Sequence, residues 1–310
     1  MQLKPIKQIS LEKKMSVNDL VNAMRQSNVM GAGKIAKATQ IMEDMFTDKD
    51  CRVFLGVAGA MVPGGMKQVL VDMLKSDWID VLVITGANLT HDLIEALGHS
   101  HYQGSHLIDD EELNKQGIDR IYDSFMKNEV YQTLEDFFTK IFYKLKDIDN
   151  IPELLWKIGE NVEDRNSILN VCASKKIPIF CPAISDSGIG LMIWGRLAAG
   201  EYINVNAFAD LKQIMQYAFK AKRTGVIYIG GGVPKNYIQQ AMQFRPKEGA
   251  DYGVQITMDR PEPGGSSGAE LKESISWGKL SLKAKFVDVI CDATIALPLM
   301  IAALKERINI

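Results

Sequence analysis

No stretch of this sequence is apolar for long enough to span a bilayer, and neither sign of charge dominates. Its longest apolar run, near residues 294–304, falls well short of the ~20 residues a membrane helix needs. The 36 Lys and Arg against 38 Asp and Glu leave a net charge of −2, which removes any electrostatic case for binding nucleic acid or an anionic membrane. The stretch Met1-Gln2-Leu3-Lys4-Pro5-Ile6-Lys7 lacks the apolar centre of a signal peptide. Cysteines are few: Cys51, Cys172, Cys181 and Cys291 stand apart, with no Cys-x-x-Cys spacing. At least two lie in apolar strand-like runs, which reads as buried free thiols in a reducing compartment rather than disulfides. Internal repeats, low-complexity tracts and Pro/Ser-rich linkers are also missing. The expectation is a soluble cytoplasmic protein with no nucleic-acid or membrane partner.

What is present is a hydrophobic content of 46% over 310 residues, enough for one large α/β domain or two ordinary ones. Short apolar, β-rich runs recur at residues 52–57, 79–84, 177–181, 225–229, 252–257 and 286–291. Amphipathic helical patterns lie between most of them, at 65–74, 92–97, 206–218 and 293–305. Near-continuous apolar strands alternating with helices predict a Rossmann-like, doubly wound, mostly parallel sheet with helices on both faces. Residues 17–45 read as helix interrupted near Met30-Gly31-Ala32-Gly33, giving a helical N-terminal extension over 1–46. A charged, helical insert is expected at 111–170 within a single domain spanning 1–310.

Ligands of open parallel sheets bind at the carboxyl ends of the strands. The residues there are Ala58-Gly59-Ala60, Thr85-Gly86-Ala87-Asn88, Ser185-Asp186-Ser187-Gly188, Gly230-Gly231-Gly232 and Asp292-Ala293. All are small, glycine-bearing or acidic, so backbone can approach a ligand closely and helix N-termini can hold phosphate. A strict Gly-x-Gly-x-x-Gly is absent: Gly188-Ile189-Gly190 is followed by Ile193 where a third glycine would stand. The four histidines, His91, His99, His101 and His106, fall together beside Asp92, Glu95, Asp109 and Asp110. No pair has the i, i+4 spacing of a zinc hydrolase, so the expectation is hydrogen-bonded or solvated histidines and no metal. His91 differs, because it follows the strand end at Thr85 closely enough to face a ligand. Finally, Glu273-Ser274-Ile275-Ser276-Trp277-Gly278-Lys279 follows the loop Gly264-Gly265-Ser266-Ser267-Gly268-Ala269. A lysine beside an apolar aromatic wall is poised to lose its proton and attack a carbonyl or imine.

Taken in order and spacing, Gly230-Gly231-Gly232-Val233-Pro234-Lys235, Gly249-Ala250-Asp251-Tyr252, Ser267-Gly268-Ala269, Ser276-Trp277-Gly278-Lys279 and Asp292-Ala293 resemble the deoxyhypusine synthase family. The match is clearest over residues 177–304 and traceable over 52–97. The resemblance implies bound NAD, a homotetramer with shared active sites, and transfer of an aminobutyl group from spermidine through a lysine imine to an amine. By the same resemblance Lys279 is the nucleophile, Trp277 packs on the polyamine methylenes and Glu273 holds an ammonium. Gly264, Gly265, Ser266, His91 and Asn236 fall at further substrate positions, and Gly59, Ala60, Thr85, Gly86, Ala87, Asp186, Gly231, Met258, Asp259, Asp292 and Ala293 at cofactor positions.

The departures gather around the polyamine. Two adjacent glutamates of the family are Thr90 and His91 here, an anchoring aspartate is Leu191, and the acid–base histidine after Lys235 is Asn236. An aspartate before Ser267 is Ser266, and the Ser-Asn after the first strand is Gly59-Ala60. Asp259, Glu262 and Asp92 are acids that could take over as anchors. The expected activity is therefore transfer to a small amine, as in homospermidine synthases, with deoxyhypusine synthesis on a lysine of translation initiation factor 5A as the alternative. A non-catalytic NAD- or amine-binding protein is the reading from another class.

Overall fold

The computed structural model describes residues 3–246 and 249–308, so the Met1-Gln2 start of the signal-peptide reading lies outside them. The chain divides into two compact units, neither continuous in sequence: one from Met1–Val57, Ser76–Val83 and Gln213–Ile310, the other from Ala58–Lys75 and Ile84–Lys212.

The first unit is built on a parallel sheet. Strands Val81–Ile84, Cys51–Val57, Arg223–Ile229, Ala250–Thr257 and Leu280–Ile290 lie side by side in that order, and the last four pair in parallel. Their runs are buried on both faces, as the unbroken apolar sequence requires. Register shows which helix covers which face. Val53 pairs with Gly225 and Gly56 with Tyr228, so the two pairs point to opposite faces. A Cβ on Gly225 would meet Met45 of the helix Met30–Thr47, whereas one on Gly56 would meet Ile238 of the helix Gly232–Gln243. Helices thus cover both faces, and the fold is the α/β, doubly wound arrangement expected.

The N-terminal extension consists of helices Val17–Ser27 and Met30–Thr47. Ser16 and Asp19 close a reciprocal capping box on the first, and Asn28 ends it in the left-handed region at φ 55°. Val21, Ala36 and Ala303 pack as one buried cluster, docking the extension on the helix Ala293–Arg307. Arg307 ties the same contact with bonds to Asn18, Asn22 and Glu43.

In the second unit, helices Lys67–Lys75, Gly86–Ala96, Val130–Ile141, Ile151–Glu160, Ile168–Lys175 and Gly188–Ala198 accompany the short strand Ile179–Phe180. The insert at 111–170 is not helical throughout. Ile118–Ile121 and Ser124–Lys127 form an antiparallel hairpin, which Tyr102–Gln103 extends to three strands. A two-residue turn makes the hairpin, with Tyr122 at φ 57°; its strands, Ile-Asp-Arg-Ile and Ser-Phe-Met-Lys, do not alternate apolar and polar residues, so no period-two signal marked them. Among the described residues no helix is long and apolar enough to cross a membrane.

Candidate functional site

The first unit brings Lys279 to Asn236. The turn Glu273–Ser276 is followed by Gly278 at φ 68°, and the Lys279 amide donates back to the Ser274 carbonyl at 2.9 Å. The Lys279 carbonyl accepts from the Ala250 amide at 3.1 Å, which fixes its backbone at the mouth of the strand Ala250–Thr257. Its Nζ then lies 5.1 Å from the Trp277 ring centroid and 3.5 Å from Asn236 Oδ1, at the outer limit of a hydrogen bond. Burial pushes the Lys279 amine below its ordinary value, with Glu273 opposing. Trp277 is itself 57% exposed, an aromatic face left open for an alkyl amine. Asn236 lines an open recess of about 490 Å³ with Gly232, Val233, Tyr237, Gln240 and Ser266.

The loop that carries Gly264, Gly265 and Ser266 is pinned from beneath by Lys235. This lysine is 1% exposed, and its Nζ donates to the carbonyls of Ser266 at 2.7 Å and Ala269 at 2.6 Å. Burial pushes its amine down to about 8, against the raising effects of Asp288 and Glu273. Gln255 adds a bond to the Ala269 carbonyl at 3.1 Å. A Cβ on Gly231 would come within 2.1 Å of Ser267 Cα, and one on Gly268 within 1.9 Å of the Arg260 carbonyl. Both glycines are therefore required by close backbone approach. Met258 is exposed just past the strand end, and the Asp259 amide donates to Thr257 Oγ1. Asp292 caps the Ala293–Arg307 helix, accepting from the amide and hydroxyl of Thr294.

The remaining expected positions, Gly59, Ala60, Thr85, Gly86, Ala87, His91 and Asp186, lie in the second unit. Asn88 ties two of them together: its Nδ2 donates to the Gly59 carbonyl at 2.7 Å and to Thr85 Oγ1 at 2.8 Å, while Oδ1 accepts from the Val62 amide. Gly86 is jammed against Ser187, and Gly188 against Thr90, where an added Cβ would sit within 2.5 and 2.6 Å. Gly188 and Gly190 therefore serve packing of the helix Gly188–Ala198 against its neighbours. Thr90 is consumed there too, donating to the Gly86 carbonyl and accepting from the Ile189 amide. Asp186 is exposed.

The four histidines separate. His101 Nδ1 is 2.8 Å from Glu95 and its Nε2 is 2.9 Å from His91 Nδ1. His99 meets Thr133, and His106 stacks on Tyr122. Among the described residues no three metal-ligating side chains converge. Asp92 is fully buried, with Ser167, Ile168 and Leu169 donating to it. It is a structural group, which removes it from the acids that could anchor an amine.

Lys235, Asn88, Glu95 and His101 stood in stretches singled out from sequence, but the bonds they make were not foreseen. Lys235 and Gln239 share a buried helix face at i, i+4, a signal hidden because lysine ordinarily faces water.

A family model of deoxyhypusine synthase matches residues 19–304. A protein of Methanosarcina acetivorans carrying that name is 42% identical over 306 residues, covering 98% of this chain and 96% of the relative. One from Archaeoglobus fulgidus is 40% identical over 299 residues, covering 96% of each. A solved protein of Entamoeba histolytica that carries the same name shares the fold, with a TM-score of 0.65, 20% identity and 96% of each chain covered. The chain belongs to the deoxyhypusine synthase family, a family of NAD-dependent aminobutyl transferases.

Proposed function

We propose that this protein is an NAD-dependent transferase that moves an aminobutyl group from spermidine to a protein lysine through an imine on Lys279. The observation that carries the reading is the setting of Lys279. Its amine is half-buried, faces Trp277 and has Asn236 Oδ1 as its polar neighbour. Burial favours the neutral, nucleophilic form, and Asn236 can accept one amine hydrogen while leaving the lone pair free. Glu273 supplies negative charge within the same turn, suited to a substrate ammonium. Near-full-length relatives at 36–42% identity that carry the synthase name favour a protein acceptor, translation initiation factor 5A, over a small amine.

The chain also suits NAD. The helices beginning at Gly86 and Gly232 have no side-chain cap, so first-turn amides are free for phosphate. Gly231 is held where no side chain fits, and a Cβ on Gly232 would meet nothing within 4 Å. The family resemblance assigns to NAD Gly231, Met258, Asp259, Asp292 and Ala293 in the first unit, and Gly59, Ala60, Thr85, Gly86, Ala87 and Asp186 in the second. When bound, NAD supplies the hydride acceptor and donor. The chain's own work is to orient the amine, strip the Lys279 proton and exclude water.

A homotetramer with shared sites is part of this reading. Leu191, Trp194 and Leu197 stand exposed on the helix Gly188–Ala198, an apolar face that an assembly would cover. A small-amine acceptor remains the second reading, favoured by Asn236 and Leu191 at positions the family fills with histidine and aspartate.

The test is intact mass after incubation with NAD and spermidine, followed by borohydride. An aminobutyl adduct mapped to Lys279, absent from K279A, supports the mechanism. Label transfer from spermidine to initiation factor 5A, compared with transfer to putrescine, then decides the acceptor. No adduct with any polyamine would overturn the reading.

A further inference from the structure

We propose that Lys235 is a positioning residue that couples closure of the loop at 264–269 to loss of its own proton, so that the wall of the amine recess beside Lys279 firms as pH rises. What the loop closes on rests on the amine reading above, whereas the coupling itself rests on contacts within the first unit.

The loop is held at its base and free at its tip. Residues 258–265 are exposed, and a Cβ on Gly264 would meet nothing within 4 Å. Ser266 and Ala269 are the attachment points. Their carbonyls accept from Lys235 Nζ at 2.7 and 2.6 Å, and Gln255 Nε2 adds its bond to the second. Ser266 also lines the recess that holds Asn236, whose Oδ1 is 3.5 Å from Lys279 Nζ. A shift of the loop at Ser266 therefore moves the recess wall beside the nucleophile.

The contacts match a neutral amine better than an ammonium. Among the described residues Lys235 Nζ has two acceptors, one for each hydrogen of a neutral amine. An ammonium has three hydrogens, so it would bury one of them unpaired. Lys235 also stands in the first turn of the helix Gly232–Gln243, at the positive end of its dipole. The charges that face it are Asp288 from the strand Leu280–Ile290, and Glu273 and Lys279 from the turn Glu273–Ser276 and its exit. Asp288 is itself engaged by the Leu271 amide and faces Glu270 and Lys34. Burial outweighs the two carboxylates, with Lys279 adding to it, and the Lys235 amine is pushed down to about 8. Once the loop lifts, water reaches the amine, which returns towards its ordinary value of about 10.4. The open loop then holds more protons than the closed one between those two values, so raising the pH favours closure. The closing equilibrium gains about tenfold between pH 7 and pH 9 on these values.

The test is hydrogen exchange of the amides at 264–271, read by mass spectrometry across that pH range and corrected for the intrinsic base catalysis of exchange. Steady-state kinetics are measured on the same proteins. Gly268 and Ala269 are the reporters, since both amides donate to the Gly265 carbonyl at 3.2 Å. Their protection in the wild type should rise by up to about tenfold from pH 7 to pH 9. Lys235→Met neither titrates nor donates, so its protection should be low and independent of pH. Asp288→Asn removes a charge that favours the ammonium while keeping an acceptor for the Leu271 amide, and should move the transition to lower pH. In the kinetics, Lys235→Met should raise KM for spermidine about fivefold to tenfold, the weight of one net hydrogen bond. The loss should fall on KM rather than kcat, because Lys235 touches no reacting atom. The ratio of the two KM values, in which the titration of spermidine cancels, should widen as pH rises. Wild-type protection that is flat or falls with pH overturns the coupling, as does a D288N transition at unchanged or higher pH. A folded K235M protein with wild-type KM, or with a loss in kcat alone, overturns the positioning role. The expected exchange in a wild type that forms no Lys279 adduct leaves the coupling in place and overturns the amine reading instead.

Discussion

Replacing Asp92 separates a structural carboxylate from a substrate-binding one. Its side chain is 0% exposed. Oδ2 accepts from the Ser167 hydroxyl at 2.7 Å and the Leu169 amide at 3.0 Å, and Oδ1 accepts from the Ile168 amide at 2.9 Å. These donors form the N-terminus of the helix Ile168–Lys175, so the carboxylate also meets the positive end of the helix dipole. Asp92→Ala leaves three buried donors without an acceptor, two of them backbone amides that cannot turn to water. At about 1–3 kcal/mol for each orphaned group, and with the losses sharing one site, a total of about 3–5 kcal/mol is expected. For a unit of this size about 2–4 °C accompanies each kcal/mol, so Tm should fall by roughly 10 °C.

Asp92→Asn keeps one acceptor oxygen but turns an NH₂ towards the other donors, so an intermediate loss is expected. Burial pushes the Asp92 carboxyl up to about 6, with its hydrogen bonds and Lys67 opposing. A carboxyl raised above its unfolded value stabilises the fold more as pH falls from about 6 towards 4, and that contribution disappears as pH rises through 6. The stability gap between wild type and D92N should therefore widen in acid. Thermal unfolding followed by circular dichroism, with spermidine binding measured calorimetrically below Tm, reads both roles. A D92A protein with unchanged Tm and weakened spermidine binding would refute the structural assignment.

Other perturbations follow from single contacts. Gly231→Ala forces a Cβ to within 2.1 Å of Ser267 Cα; a loss of about 1–3 kcal/mol and weaker NAD binding are expected, by unfolding and calorimetry, and wild-type values for both would count against the tight approach. Glu273 raises the Lys279 amine against burial, so Glu273→Gln should move the pH midpoint of Lys279 labelling downward while weakening spermidine binding; an upward shift contradicts this electrostatic role. His91 is held at about 4, below its unfolded value, so it contributes fully above about pH 6.5 and that contribution is lost as pH falls towards 4. Relative to His91→Gln, the wild type should lose roughly 1–2 kcal/mol over that window after allowance for partial exposure, and parallel stability curves would reject the assignment.

The parallel sheet was legible because its strands are apolar on both faces and end in glycine or small residues. Arg223–Ile229 and Ala250–Thr257 lie within two residues of the runs read from sequence. The hairpin at 118–127 was not, since Asp119, Arg120 and Lys127 give that segment the composition of a solvated helix. Lys279 and Asn236 were legible as chemistry and as family motif, and the fold brings them together across 43 positions of sequence. Lys235 was visible as part of the motif, but its structural role was not. Nothing local distinguishes a lysine that donates to two buried carbonyls from one in water; only the return of the loop at 264–269 creates its acceptors. Asp92 and His101 show the same limit. An acid and a histidine near a strand end invite a functional reading, and only their partners reveal whether their bonding capacity is already used.

That distinction also governs the substitutions at family anchor positions. Thr90 occupies one glutamate position, and its hydroxyl is fully engaged between Gly86 and Ile189; it replaces an anchor with packing. Ser266 gives its carbonyl to Lys235, and its hydroxyl lies 3.4 Å from the Gly232 carbonyl, so it offers a substrate no charge. Asn236 remains at Lys279 but has no titrating proton to exchange. Each lost charge-assisted bond removes about 1.5–3 kcal/mol from amine binding. The proposed amine site in the first unit keeps Glu273 beside Lys279, so the loss of its other acid, at Ser266, predicts a raised KM for spermidine. Steady-state kinetics of wild type and Ser266→Asp tests this directly: an aspartate on the recess that Ser266 shares with Asn236 should lower that KM. An unchanged KM for spermidine would show that the recess does not hold the amine.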